Sequence, residues 1–277
     1  MKNKKKDKST LKIVLCAVLF ILVCLLIPNI IYIVHEKTTI SERKVFDTTK
    51  RGSIANLVLS EENYAEDMQE IVEPFVKQYE ENGYFNSFDE KEIYYRTYIL
   101  DNSKGNIVIS HGFCENSEKY LETIYYFLNE GYSCFIIDHR GYGYSHRDTP
   151  NFSKVYISSF DEYVKDFSCF VEKIVIPETG GLDLYLYGHS MGGGIGAAVL
   201  EAHPEYFEKA ILSCPMMDLV CAGLPKPLAK VLANIFVFFG QKESYVIGNY
   251  DFDYLPIFDI AAAGCEERYN YYFKKCE

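Results

Sequence analysis

From Gly105 to Ser213 the sequence repeats one pattern: a short apolar run, a loop, then a stretch with helical spacing. The runs are Ile107-Val108-Ile109, Cys134-Phe135-Ile136-Ile137, Leu184-Tyr185-Leu186-Tyr187 and Ala210-Ile211-Leu212. Helices are predicted over 118–129, about 160–174 and around 195–200. Strands that are apolar along their whole length, alternating with helices, predict an α/β fold with a mostly parallel sheet covered on both faces. Upstream, Ile93, Tyr95, Thr97 and Ile99 alternate with period two and predict one more strand. Met68, Ile71, Val72, Phe75 and Tyr79 predict a helix opened by Ser60-Glu61-Glu62 and closed near Gly83. Beyond Leu219 the alternation stops. Ala229 to Phe239 reads as a strongly apolar helix, and irregular aromatic sequence follows to Glu277.

The amino terminus is a different object. Residues 1–34 carry six Lys and one Asp, a net of +5, so the rest of a chain with net charge −11 carries −16. Ile13 to Val34 is apolar apart from Pro28 and Asn29, and as a helix it spans roughly 33 Å, enough for a bilayer core. Lys2, Lys4, Lys5, Lys6 and Lys8 predict a cytoplasmic end, with the remainder on the far side of the membrane. A cleaved signal peptide is the rival, but no small-x-small site follows the run. The expected division is a basic tail over 1–12, a single transmembrane helix over 13–34, a stalk over 35–60, a core over 61–218 and a cap region with the chain end over 219–277.

The strong negative charge excludes nucleic-acid binding through phosphate contacts. Nine cysteines form no Cys-x-x-Cys pair and have no His-rich partner spacing, so neither a structural zinc nor another metal is expected. No cofactor is called for. Their pairing and the oligomeric state stay open.

Chemistry is concentrated in Gly188-His189-Ser190-Met191-Gly192. The string follows a predicted strand and opens a helix, the setting in which a tight turn lifts a serine hydroxyl above the sheet edge. Such a turn strains the serine backbone and requires neighbours nearly free of side chain, which Gly188 and Gly192 supply. Ser190 is therefore the candidate nucleophile. Acyl transfer also needs amide donors for a developing oxyanion. Met191, next in the chain, offers one. Phe113, in the His111-Gly112-Phe113 loop after an earlier strand, offers the other. Gly192-x-Gly194-x-x-Ala197, with Asp218 downstream, also fits a dinucleotide fingerprint, but that reading leaves Ser190 without a role and usually opens its domain.

Together with Cys114-Glu115-Asn116, the turn Asp138-His139-Arg140-Gly141-Tyr142-Gly143-Tyr144-Ser145 and the run Ser213-Cys214-Pro215-Met216-Met217, these residues resemble the α/β-hydrolase superfamily, within it the monoacylglycerol lipase, lysophospholipase and serine-aminopeptidase-like group. The resemblance covers roughly 85–220. It implies Ser190 as nucleophile, the Phe113 and Met191 amides as oxyanion hole, supported by His111, Gly112, Gly188, His189 and Gly192, and a partial helical cap at 229–239. Tyr142 stands where a His is common, a change expected to matter little. The resemblance also implies two further strands bearing the triad Asp and His. The chain stops at Glu277 where these should begin, so a C-terminally truncated member, its last strands missing, is expected.

No residue inside the chain replaces that pair. The sole His after Ser190 is His203, 13 positions along the helix that Ser190 opens, thus about 20 Å away. A general base must come within about 3 Å. The expected function is a membrane-anchored serine hydrolase of lipid-like carboxylic esters, such as lysophospholipids or monoacylglycerols, impaired for want of the triad Asp and His. The alternative is a non-catalytic lipid-binding remnant of such an enzyme.

Overall fold

The computed structural model describes residues 57–218, 221, 224–245, 251, 258 and 263–273. The expected tail, transmembrane segment and most of the stalk lie outside them. Among the described residues no helix is long and apolar enough to cross a membrane. Asp218–Ser244 belongs to one compact unit, and Arg51–Met217 with Tyr245–Glu277 forms another.

The larger unit opens with helix α1, which runs through Tyr64–Asp67, a π-helical turn at Met68–Val72 and Glu73–Lys77. Strands β1 (Glu80–Asn86), β2 (Glu92–Tyr98) and β3 (Asn106–Ser110) follow, then a 3₁₀ turn at Ser117–Tyr120 leading into α2 (Leu121–Asn129). Next come β4 (Ser133–Ile137), α3 (Asp161–Phe170, continued through Val171–Val175 and Ile176–Glu178), β5 (Leu184–His189), α4 (Met191–Ala202) and β6 (Lys209–Ser213). The smaller unit contains α5 (Lys226–Phe238), and α6 (Glu266–Phe273) returns to the larger one.

The sheet order is β1-β2-β4-β3-β5-β6. The β1/β2 and β2/β4 pairs are antiparallel, whereas β4, β3, β5 and β6 run parallel. Alternate residues of the central strands feed opposite layers. Ile107, Ile109, Cys134 and Ile136 pack with Met68, Val72, Ile124 and Tyr272 of α1, α2 and α6. Val108, Phe135, Ile137 and Leu186 pack with Phe167, Phe170, Ile195 and Val199 of α3 and α4. Burial of each such side chain stabilises by about 1.5–3 kcal/mol, which is why the strands read as unbroken apolar runs.

Two expectations change. Gly83 does not close the first helix: α1 ends at Lys77, and Gly83 pairs with Tyr95 inside β1. A Cβ there would stand 3.1 Å from the Tyr95 hydroxyl, so the glycine gives that ring room. The strand is mostly exposed and polar, which erased its period-two signature. The second change lies at the carboxyl end. Residues 266–273, read as irregular aromatic sequence, form helix α6. Tyr271 and Tyr272 of α6 are buried against α1, and Arg268 grips the Glu122 carboxylate with two hydrogen bonds of 3.1 and 2.9 Å.

Candidate active site

The parallel strands end together. Ser110 of β3 pairs with Gly188, and His189 pairs with Ser213 of β6, so three loops leave the same sheet edge side by side. Ser190 sits alone between β5 and α4 with φ 50° and ψ −118°. That conformation costs on the order of 1–3 kcal/mol for a residue with a side chain and needs a surround that fixes it. The Ser190 amide donates to Ser213 O at 3.0 Å, and its carbonyl accepts from Gly193, Gly194 and Met216 at 3.0, 3.2 and 2.8 Å.

The turn is possible because two residues lack a Cβ. At Gly188 a Cβ would approach Gly192 O and Gly193 Cα to 2.9 Å. At Gly192 it would fall 2.1 Å from Ser110 O and 2.4 Å from His111 O. The first turn of α4 is therefore seated directly on the end of β3, and this contact brings the 190–192 and 111–113 segments together. It also occupies Gly192 with protein backbone, where a dinucleotide fingerprint needs open approach to a pyrophosphate.

Met191 is the first residue of α4, so its amide has no intrahelical acceptor. The Phe113 amide makes no hydrogen bond among the described residues. Its exposed ring lies edge-on to Tyr142 at 5.9 Å. Free amides at a helix N-terminus and on the neighbouring loop favour negative charge between them.

His111 is locked. Its Nδ1–H donates to the carbonyl of Gly112 at 2.8 Å, and Nε2 accepts the His139 amide at 2.9 Å, which fixes the neutral tautomer. Burial holds its pKa below the ordinary value. His139, with Nε2 2.9 Å from Ser110 Oγ, is depressed further by burial and by His111 beside it. Both nitrogens of His111 are engaged, His139 Nδ1 is buried without a partner, and no hydrogen bond joins either ring to Ser190 among the described residues. His203 caps the far end of α4, stacked on Tyr206 at 4.5 Å. His146 pairs with Asp148 at 3.0 Å on the surface. Among the described residues the Ser190 hydroxyl has no hydrogen-bond partner.

His189 turns toward Glu115, with Nε2 3.8 Å from Oε1. Glu115 is a site residue that sequence reasoning passed over. Its carboxylate accepts the Gly112 amide at 2.7 Å, the Tyr120 hydroxyl at 2.6 Å and Lys119 Nζ at 2.5 Å. Burial works against the charge, but Lys119, Tyr120 and the Gly112 amide outweigh it and hold the carboxyl below its ordinary range. The spacing of Glu115 and Lys119, one helical turn apart, was the available signal. Asp138 is structural: it accepts the Ser117 and Tyr144 amides at 2.6 and 3.1 Å. Among the described residues no three His, Cys, Asp or Glu side chains converge as metal ligands.

A sheet of this order, with a serine on a strained strand–turn–helix at the carboxyl ends of its parallel strands, defines an α/β-hydrolase. A model of the serine aminopeptidase (S33) family matches residues 101–253. That is more than half of the 277 residues, and the chain belongs to this hydrolase family. It is similar to a probable lysophospholipase L2 of Haemophilus influenzae, 32% identical over 51% of this chain and 44% of that protein. It is likewise similar to lysophospholipase L2 of Escherichia coli, 30% identical over 59% of this chain and 48% of that protein. A soluble variant of monoglyceride lipase from Saccharomyces cerevisiae, solved with a substrate analog, shares 25% identity and a TM-score of 0.47 over 58% of this chain and 53% of its own. The chain spans about half the length of the curated relatives it matches.

Proposed function

We propose that this chain provides the nucleophile and oxyanion cradle of a serine hydrolase for lipid-like carboxylic esters, of the lysophospholipase or monoacylglycerol lipase kind. The observation that carries the reading is the strained Ser190 turn, wedged by Gly192 against the loop that bears Phe113. In the reaction Ser190 Oγ attacks the ester carbonyl, its proton passes to a base, and the oxyanion accepts hydrogen bonds from the Met191 and Phe113 amides. Each donor is worth about 3–4 kcal/mol in the transition state. Support for the substrate class comes from the names of the curated relatives.

A second reading, a lipid-binding form without turnover, is favoured by one observation: no described histidine reaches Ser190. Without a base, only on the order of 10³–10⁴-fold catalysis over water remains. A fluorophosphonate separates the two. Its phosphorus bonds to Ser190 Oγ as fluoride leaves and the hydroxyl proton passes to solvent water. Stoichiometric labelling, slowed by the missing base yet faster than in Ser190→Ala, is the expected result; labelling no faster than that variant overturns the catalytic reading.

The same proposal extends to placement. Residues 13–34 anchor the chain in a bilayer with the basic tail cytoplasmic and the hydrolase outside. The exposed apolar side chains of α5, Leu228, Val231, Leu232, Ile235 and Phe236, suit an ester-rich lipid surface. Protease added outside intact cells should digest the hydrolase and spare the tail; full protection refutes this orientation.

A further inference from the structure

An oxyanion cradle built from two loops has a geometric problem: its amides come from separate segments, yet they must hold their separation to a fraction of an ångström. One side chain touches both donor residues. The ring of Tyr142 lies edge-on to Phe113 at 5.9 Å and to His111 at 5.5 Å, and its hydroxyl is 3.9 Å from Met191 Sδ. The Cys114 amide hydrogen-bonds to that same hydroxyl, and the ring lies 6.5 Å from that of Tyr163 of α3. Tyr142 thus grips the 113–114 loop, the first residue of α4 and the helix behind the sheet.

Tyr142 is itself held on all sides. Its amide donates to His139 O at 2.9 Å and its carbonyl accepts from Ser145 at 3.1 Å. Gly141 and Gly143 on either side adopt φ of 85° and 48°. Arg147 bonds to the carbonyls of both glycines. The side chain is almost fully buried, so the phenol stays neutral. Cys114, the residue it restrains, has φ 55°, a conformation that a cysteine adopts only when its surroundings impose it.

We propose that Tyr142 is the positioning residue of the oxyanion cradle, its ring and hydroxyl together setting the distance between the Phe113 and Met191 amides. The proposal rests on the hydrolase reading of Ser190. It also revises the expectation that a tyrosine at this turn matters little: a histidine ring is shorter and carries no hydroxyl at this reach.

Tyr142→Phe keeps the ring and removes the hydroxyl, so it isolates the hydrogen bond to Cys114. In the full chain, labelling of Ser190 by a fluorophosphonate should slow roughly 5- to 10-fold, the rate equivalent of one hydrogen bond. Amide hydrogen exchange supplies a readout that needs no chemistry at Ser190. At Cys114 it should quicken about 10-fold or more, and the Phe113 and Met191 amide resonances should shift. Val108 and Leu186, in the strands beneath, should exchange as before. A merely structural tyrosine would instead speed exchange throughout, and that result overturns the proposal. So does unchanged exchange at Cys114, or a wild-type labelling rate in Tyr142→Phe. If the unaltered chain labels no faster than Ser190→Ala, the hydrolase reading fails, and exchange at Cys114, Phe113 and Met191 alone decides whether Tyr142 sets the loop.

Discussion

Replacing Gly192 by Ala tests the contact that joins the two halves of the site. The added methyl carbon would lie 2.1 Å from Ser110 O and 2.4 Å from His111 O, whereas real Cβ atoms essentially never come within 3.0 Å of such atoms. Relief requires the first turn of α4 and the end of β3 to part by about 0.6–0.9 Å. Neither partner is a flexible side chain, so the cost should fall at the upper end of the usual overpacking range, about 3 kcal/mol. The same movement carries the Met191 amide away from Phe113. A misplacement near 1 Å lowers reaction rates by roughly 10²-fold. Urea denaturation and the rate of Ser190 labelling measure the two effects separately. Gly264→Ala is the control, since nothing lies within 4 Å of its added methyl, and it should stay within about 0.5 kcal/mol of the parent chain. A Gly192→Ala protein as stable as that control would refute the seating of α4 on β3.

Three further outcomes follow from the same physics. Because His111 and His139 have depressed pKa values in the fold, their stabilisation is complete above the unfolded value of 6.5 and is lost as pH falls below it. One pKa unit is worth about 1.4 kcal/mol, which is the upper limit of the slope per pH unit for each group, so the chain should be less stable at pH 5.5 than at pH 7; equal denaturation midpoints at the two pH values would contradict this. Asp166 is fully buried and shares Arg140 with the more exposed Asp89, each accepting two hydrogen bonds. Asp166→Ala should therefore cost about 3–5 kcal/mol by stranding the guanidinium, and Asp89→Ala clearly less; thermal melts showing the reverse order would sink the argument. Arg268→Ala removes both bonds to Glu122 and should loosen α6 by about 1–3 kcal/mol, read as faster limited proteolysis just before residue 266.

The central strands were legible because burial on both faces leaves an unbroken apolar run, as in Ile107-Val108-Ile109 and Cys134 to Ile137. The strained turn was legible for a related reason: glycine is the sole residue that fits at 188 and 192, and it leaves a mark in any sequence. Strand β1 escaped because Glu81, Asn82, Tyr84 and Asn86 are exposed at a sheet edge, where pairing with β2 rather than hydrophobic periodicity decides the conformation. Helix α6 escaped because Tyr271 and Tyr272 bury adjacent positions, a pattern with no helical period. Glu115 and Tyr142 were hidden for another reason. Their importance lies in what they touch, the Gly112 amide in one case and Phe113, Cys114 and Met191 in the other, and those partners are distant in the chain or lie in irregular loops. Local spacing does not encode such meetings.

The clasp between Arg268 and the start of the described fold has a practical corollary. Its guanidinium reaches Leu59 O at 3.4 Å and Glu61 at 3.5 Å, so the two outer segments of the larger unit come within a side chain's length of each other. A short flexible tether could join them, and new termini could be opened at Gly180-Gly181, a turn with empty space around both residues. Such a circular permutant would retain every strand pairing, because Gly180 and Gly181 lie between α3 and β5 and outside all six strands.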